Sequence, residues 1–295
     1  MEMIQKLRSS GVFWMITSAC AFSLMQVFIK LTSASVSVYL QVLFRNVVGI
    51  LISAIYIKKE QLLWFGSKQE QLFLFGRSIA GFLGLVTFFY ASRLGNVADV
   101  TIVNRTGPFF TTLFSVIFLK ERASKEQWFA LSIVFLGGLI AANPSFGSSP
   151  VPMLLALLSA VMNGSAYTLL AHFRDRVPAM TVVMHFSVFS VAASLPFVIY
   201  EAYLPTIQDI CMLSAIAVTG SLGLISITLA YRLAPATEIS IYDQLGTVMS
   251  VLLGWAILKQ VPKCHTLIGA AVVIAASVWM YCFNRKNQLR IRSQH

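Results

Sequence analysis

Three ionisable side chains stand where lipid would be expected. Arg45, Arg105 and Asp243 each lie within a run of apolar residues long enough to cross a bilayer. A charge at the centre of a membrane helix costs about 2.5–3.5 kcal/mol on the insertion scale, so such groups normally face the interior of a helix bundle and serve a purpose there. The arginines offer planar forks of N–H donors that suit a carboxylate or a phosphate. The alternative use is an ion pair with Asp243 that locks the bundle. Two arginines against one aspartate leave one positive charge without a protein partner, which a bound anion would neutralise and cavity water would neutralise less specifically. Asp243, with Tyr242 beside it, could accept a substrate amine or carry a coupling proton or ion. A third arginine, Arg77, lies only about five residues inside its own apolar run. Its long stem could carry the charge back to the interface, the alternative being a role in substrate binding.

The elements that position these groups are membrane spans. The chain has 295 residues, 57% of them hydrophobic and 11% charged, with a mean hydropathy of +0.78, outside the range of soluble globular proteins. At about 1.5 Å per residue, a hydrocarbon core of about 30 Å needs roughly 20 apolar residues per helix. Ten stretches qualify: 11–31, 36–57, 72–92, 97–119, 126–143, 151–171, 178–200, 210–231, 238–258 and 264–283. The net charge of +11 comes from short basic clusters between spans, not from a stripe with stacked aromatics, so no nucleic-acid partner is expected. Fifteen Lys and Arg residues fall on the side that carries both termini and the loops at 58–68, 120–125 and 174–176, against Lys30, Arg93, Lys259 and Lys263 on the other. That bias places both termini in the cytoplasm.

Enzymatic chemistry has no support. The chain contains no G-x-x-x-x-G-K-[ST], H-E-x-x-H or G-x-S-x-G motif. Cys20, Cys211, Cys264 and Cys282 are widely separated and read as apolar fillers, with neither a disulfide framework nor a metal site implied. No cofactor is implied. Lys6 and Arg8 ahead of the first span, with Cys20 inside it, raise a signal peptide or lipoprotein box, but the apolar stretch is too long for a signal and Thr17 stands where Leu is usual.

A shift of 139 residues aligns the chain with itself. Gly81-Phe-Leu-Gly84-Leu85 falls on Gly220-Ser-Leu-Gly223-Leu224, Arg93-Leu94 on Arg232-Leu233, Gly107 on Gly246 and Leu119-Lys120 on Leu258-Lys259, giving 12 identities over residues 81–121. Five spans per copy is an odd number, so the copies cross the membrane in opposite directions. Inverted repeats of this kind build secondary transporters, with the site near the midplane between the halves. The register sets Asn104-Arg105 opposite Asp243-Gln244.

In Gly107-Pro108-Phe109 through Leu119-Lys120-Glu121-Arg122, then Trp128 and Gly137-Gly138, the chain resembles the EamA-like family of the drug/metabolite transporter superfamily. The second copy departs from the pattern, with Thr247 in place of the proline and Gln260 in place of the glutamate. The resemblance implies an all-α polytopic membrane protein of ten helices in two inverted five-helix repeats, here residues 1–145 and 146–284, followed by a basic cytoplasmic tail at 285–295. It also implies carriage of small metabolites across a cell (inner or plasma) membrane.

In such folds the first and sixth spans line the cavity, which adds Gln26, Asn163 and Tyr167 to the candidates. Gln41 and His185 occupy roughly corresponding places in the two halves, and His185 alone among the histidines lies well inside a span. Phe88, Phe89 and Tyr90 could stack on an aromatic substrate or simply face lipid or core. Pro108 removes a backbone donor and clashes with the carbonyl of Asn104, so Gly107-Pro108 should kink the fourth span there. Glu121 and Arg122 read as a packing or gate-side ion pair. The expected substrate is an amino acid or derivative with an anionic group, S-adenosylmethionine-like compounds included. A broad drug exporter and a non-transporting receptor or scaffold stay open, as do direction, coupling and oligomeric state.

Overall fold

A computed structural model describes residues 11–32, 36–95, 97–142 and 150–283, except 240, 241, 244, 260, 262, 266, 273, 277 and 280–282. The proposed tail at 285–295 lies outside the described residues, as does Gln244. The helices are α1 (Gly11–Leu31), α2 (Val38–Lys59), α3 (Gln71–Leu94), α4 (Val97–Asn104), α5 (Gly107–Phe118), α6 (Lys125–Ala142), α7 (Val151–His172), α8 (Ala179–Glu201), α9 (Ile207–Leu233), α10 (Ala236–Ile239) and α11 (Leu245–Ala256). A further apolar helix, α12, follows at Leu267–Ala276. Among the described residues, α1, α2, α3, α7, α8 and α9 are each long and apolar enough to cross a membrane.

Helix starts follow from local chemistry. Ser37 caps α2 through its hydroxyl on the Leu40 N–H at 3.1 Å. At α9 the Thr206 hydroxyl accepts from the Asp209 N–H while the Asp209 carboxylate accepts from the Thr206 N–H, a reciprocal box that satisfies two otherwise orphaned donors. The outer surface is apolar, with Leu51, Ile55, Leu83, Val218 and Leu252 exposed, whereas the interior holds Arg45, Arg77, Arg105 and many serines. This inversion of the usual polarity suits a chain whose solvent is lipid.

The two halves pack through mirrored contacts. α1 lies along α9 and α7 along α3, while α1 also meets α11 and α7 meets α5. The Ser18 hydroxyl donates to the Gly223 carbonyl at 3.0 Å, and the Ser159 hydroxyl donates to the Gly84 carbonyl at 2.7 Å. Gly84 and Gly223 are repeat mates at a shift of 139, but Ser18 and Ser159 are mates at a shift of 141. Four left-handed residues carry the same registers: Lys120 and Lys259 (φ 55° and 52°) at 139, Gln61 and Ala202 (φ 50° and 46°) at 141. The second copy is therefore two residues shorter between its second and third helices. The first two helices of each half align at 141, which pairs Gln26 with Tyr167, Arg45 with Phe186, and Gln41 with Val182 instead of His185.

Both mid-bundle helices are broken. The fourth span stops at Asn104 and restarts at Gly107, with Pro108 in the first turn of α5, where a missing N–H costs nothing. The carbonyl that Pro108 would meet is that of Asn104, so the expected kink is found where the clash requires it. The ninth span was expected to run unbroken over 238–258, and it too is interrupted, between α10 and α11, although Thr247 replaces the proline. Beside this break the Ser23 hydroxyl of α1 donates to the Gly246 carbonyl in the first turn of α11 at 3.0 Å, a contact that ties α1 to the restarted helix.

The Ser–Gly contacts leave no space for a side chain. A Cβ on Gly84 would lie 2.5 Å from Asn163 Oδ1 and 3.2 Å from the Asn163 backbone nitrogen. Gly84→Val is expected to lower the melting temperature of the detergent-purified protein, corresponding to about 1–3 kcal/mol of overpacking. Gly76→Val, where the nearest atom to a Cβ is 3.8 Å away, should leave it within error. Equal melting of the two variants would refute the tight interface.

Candidate functional site

The broken helices bring their interruptions together at the centre of the bundle. Arg105, in the gap between α4 and α5, pairs its Nη1 with Oδ2 of Asp243, in the gap between α10 and α11, at 2.5 Å. Both side chains are largely buried, at 9% and 13% exposure. Gly246 is a glycine because the Arg105 guanidinium occupies the place where a Cβ would be. Its repeat mate Gly107 has no such neighbour, the closest atom being 3.6 Å from the corresponding position. The locking alternative weighed for Arg105 and Asp243 is thus what the structure adopts, although Oδ1 of Asp243 has no hydrogen-bond partner.

Around this pair opens a cavity. Arg45, Arg105, Asp243, Asn104, Gln26, Asn163 and Tyr167 all line it, as do Gly107 and Pro108. The polar side chains are mutually held. Thr101 donates to Gln26 Oε1 at 2.9 Å, and Asn104 and Asn163 both donate to the Ser159 hydroxyl oxygen, at 2.9 and 3.1 Å. The Ser159 hydroxyl in turn donates to the Gly84 carbonyl. One wall is therefore a fixed amide–hydroxyl network, and Tyr167, stacked on Tyr231 at 5.4 Å, forms another.

The expectation for Arg77 is corrected. Its side chain does not return to the interface: it is 2% exposed, lines the cavity and runs toward Gly81, one turn deeper along α3. Its Cζ stands 4.1 Å from the centre of the Phe186 ring. Arg45, 3% exposed, has its Cζ 5.7 Å from the Phe22 ring centre and 6.0 Å from that of Phe186. Nε and Nη1 of both arginines are buried without a hydrogen-bond acceptor. A desolvated cation–π contact is worth about 2 kcal/mol, less than the cost of a buried charge, and a ring face leaves in-plane N–H donors unanswered. Among the described residues the cavity is lined by three arginines and one aspartate, which leaves two positive charges uncompensated there where the sequence suggested one.

Other expected site residues lie elsewhere. His185 shares a hydrogen bond with the Ser78 hydroxyl through Nδ1 at 2.9 Å and sits against the edge of Phe75, a satisfied core histidine outside the cavity. Gln41 is buried in α2 but does not line it. Tyr90 meets Tyr39 edge-on, Phe89 is core, and Phe88 alone of that triplet reaches the cavity. Tyr242 packs on the cluster containing Tyr231 and Ile239. Glu121 pairs with Arg174 at 3.6 Å instead of Arg122, and Glu70 pairs with Arg176 at 3.6 Å, so ion pairs join the two halves at one end of the bundle. Sequence reasoning passed over Phe22, Thr101 and Phe186. The 141-residue register, which sets Phe186 opposite Arg45, was the signal that could have found Phe186.

A bundle of inverted halves around a buried, charged cavity defines a membrane carrier, and the comparisons agree. The family model for the EamA-like transporter family matches residues 9–142 and 151–282. The chain belongs to that family, within the drug/metabolite transporters, and is a small-molecule transporter and not an enzyme. It is 30% identical over 278 residues to the pseudopaline exporter CntI of Pseudomonas aeruginosa, covering 94% of this chain and 97% of that protein. It is 23% identical over 210 residues to an S-adenosylmethionine uptake transporter of Rickettsia bellii, covering 71% and 72%. A solved crystal structure 17% identical, with a TM-score of 0.73 over 94% of this chain and 96% of that one, has the same fold.

Removing one member of a buried ion pair typically costs about 3–5 kcal/mol, because the other is left charged and unpaired. Arg105→Ala and Asp243→Ala should each lower thermal stability markedly, while the double variant melts above Asp243→Ala. A double variant that melts at the sum of the two losses would exclude coupling between them.

Proposed function

We propose that the protein is a secondary transporter of a cell (inner or plasma) membrane, with both termini cytoplasmic, that moves an anionic small metabolite by alternating access. The observation that carries the substrate class is the pair Arg45 and Arg77, buried in the cavity wall with guanidinium N–H groups that no protein acceptor meets. An amino acid or derivative fits: its carboxylate answers an arginine fork, and its ammonium can approach the free Oδ1 of Asp243. The amide–hydroxyl wall of Asn104, Ser159 and Asn163 can hold neutral polar groups. Both relatives named above carry small molecules, as their names state, which supports the class of cargo.

The Arg105–Asp243 pair suggests how transport is coupled. A proton on Asp243 would release Arg105 toward the cavity, and loss of that proton would restore the bridge between the two broken helices. Asp243 is accordingly the coupling group.

A metabolite library screened by thermal shift, followed by counterflow in proteoliposomes with the compound identified, tests the reading. Arg45→Ala should weaken apparent affinity by about tenfold or more, the magnitude of one charge-assisted hydrogen bond, with thermal stability retained. Unchanged affinity in both Arg45→Ala and Arg77→Ala would remove the anion site. Asp243→Asn should abolish accumulation driven by an imposed pH gradient while sparing exchange of labelled for unlabelled substrate. Gradient-driven accumulation by Asp243→Asn equal to the parent's would exclude Asp243 as the proton carrier.

A further inference from the structure

The halves of an inverted repeat provide an internal control for what the scaffold itself requires. Gly81 and Gly220 are repeat mates, and each opens a recess at the centre of the bundle. A Cβ on Gly220 would lie 2.7 Å from Cδ and Nε of Arg45, and one on Gly81 would lie 2.9 Å from the ring of Phe186 and 3.0 Å from Nη1 of Arg77. In the registers fixed by the fold, Arg45 corresponds to Phe186 and Arg77 to Ile216. Both counterparts are buried, at 2% and 0% exposure. The second half therefore builds with a phenyl ring and an aliphatic chain what the first half builds with two guanidinium groups. Packing does not call for either charge.

The two charges are neighbours. Cζ of Arg77 is 4.1 Å and Cζ of Arg45 is 6.0 Å from the centre of the same Phe186 ring, so they are at most 10.1 Å apart, the sum of those distances. Like charges this close in a medium poorer than water repel, and the ring they share carries no negative charge to neutralise either. Asp243, the acid that lines the cavity, is already engaged by Arg105. One carboxylate brings a single negative charge, so it would leave one of the two guanidinium charges uncompensated.

We propose that the substrate is a diacid: two separate anionic groups on a short spacer, one received by Arg45 and the other by Arg77, with the spacer lying along the Phe186 ring. This rests on the reading of the cavity as the transport site and narrows it, since a monocarboxylate or a net cation is disfavoured. Arg77 becomes the specificity-determining residue, and Arg45 the anchor shared by any acid that enters.

The experiment compares matched compounds on purified full-length protein by thermal shift and by competition. The diacids are succinate, glutarate, adipate, aspartate, glutamate and 2-aminoadipate, and each is paired with its terminal monoamide, such as asparagine for aspartate and glutamine for glutamate. The expected result is stabilisation by at least one diacid, with its monoamide about tenfold weaker or worse, the factor one charge-assisted pair supplies. Arg77→Gln should erase that ratio, leaving diacid and monoamide alike, whereas Arg45→Gln should weaken both. A monoamide that binds as well as its diacid in the parent protein, a measurement needing no variant, overturns the diacid and leaves a single-anion site standing. A preference for the diacid that survives Arg77→Gln also overturns the assignment. Stabilisation only by monoacids or cations does the same, and no response to any compound in either series rejects both the short-spacer diacid and the anion site.

Discussion

A helix interrupted at membrane depth exposes backbone groups that lipid cannot satisfy, and this chain interrupts two of them at the same depth. The Arg105–Asp243 bond joins the two interruptions. Each residue sits in the gap of its own broken helix, so the bond spans the point at which the halves must separate or slide if the carrier is to change state. Gly246 opens the space for the guanidinium, Ser23 caps the carbonyl beside it, and Pro108 fixes the other break. The cavity, the network anchored on Ser159 and the positions of the free arginines are arranged about that bond.

Symmetry builds the frame and asymmetry the chemistry. Serine-to-glycine bonds recur between α1 and α9 and between α7 and α3, and the same left-handed turns end equivalent helices, so the scaffold is close to two-fold. The charges are not. Arg45, Arg77 and Arg105 belong to the first half and Asp243 to the second, so the lining is polarised even though its frame is not.

Much of the frame was legible because it is written in residue identity. The glycines at 81, 84, 220 and 223 recur in one ungapped register, and apolar length marks the spans. The two-residue shortening between the second and third helices of the second copy was not legible, because no matched letters flank it closely. It hid the correspondence of Arg45 with Phe186 and made Gln41 and His185 look like mates. The break in the ninth span was missed for a different reason: no proline marks it, and the contacts beside it come from Ser23 and Arg105, which are distant in sequence. Arg77 was misplaced because depth along a helix does not give the direction of a side chain, and here the chain runs inward to the recess above Gly81.

The same contrast explains why Arg105 and Arg45 looked equivalent in sequence and are not in the fold. Both are arginines within apolar spans, and each was a candidate fork for an anion. A carboxylate in the opposite break answers Arg105, whereas Arg45 has only aromatic faces. Ring faces attract a cation without accepting its in-plane N–H donors, so they hold the guanidinium in place and leave its hydrogen bonds to be made. Phe22 and Phe186 thus position Arg45 without satisfying it. On the proposed reading of the cavity, an arginine in that condition is preorganised for an acceptor that arrives there.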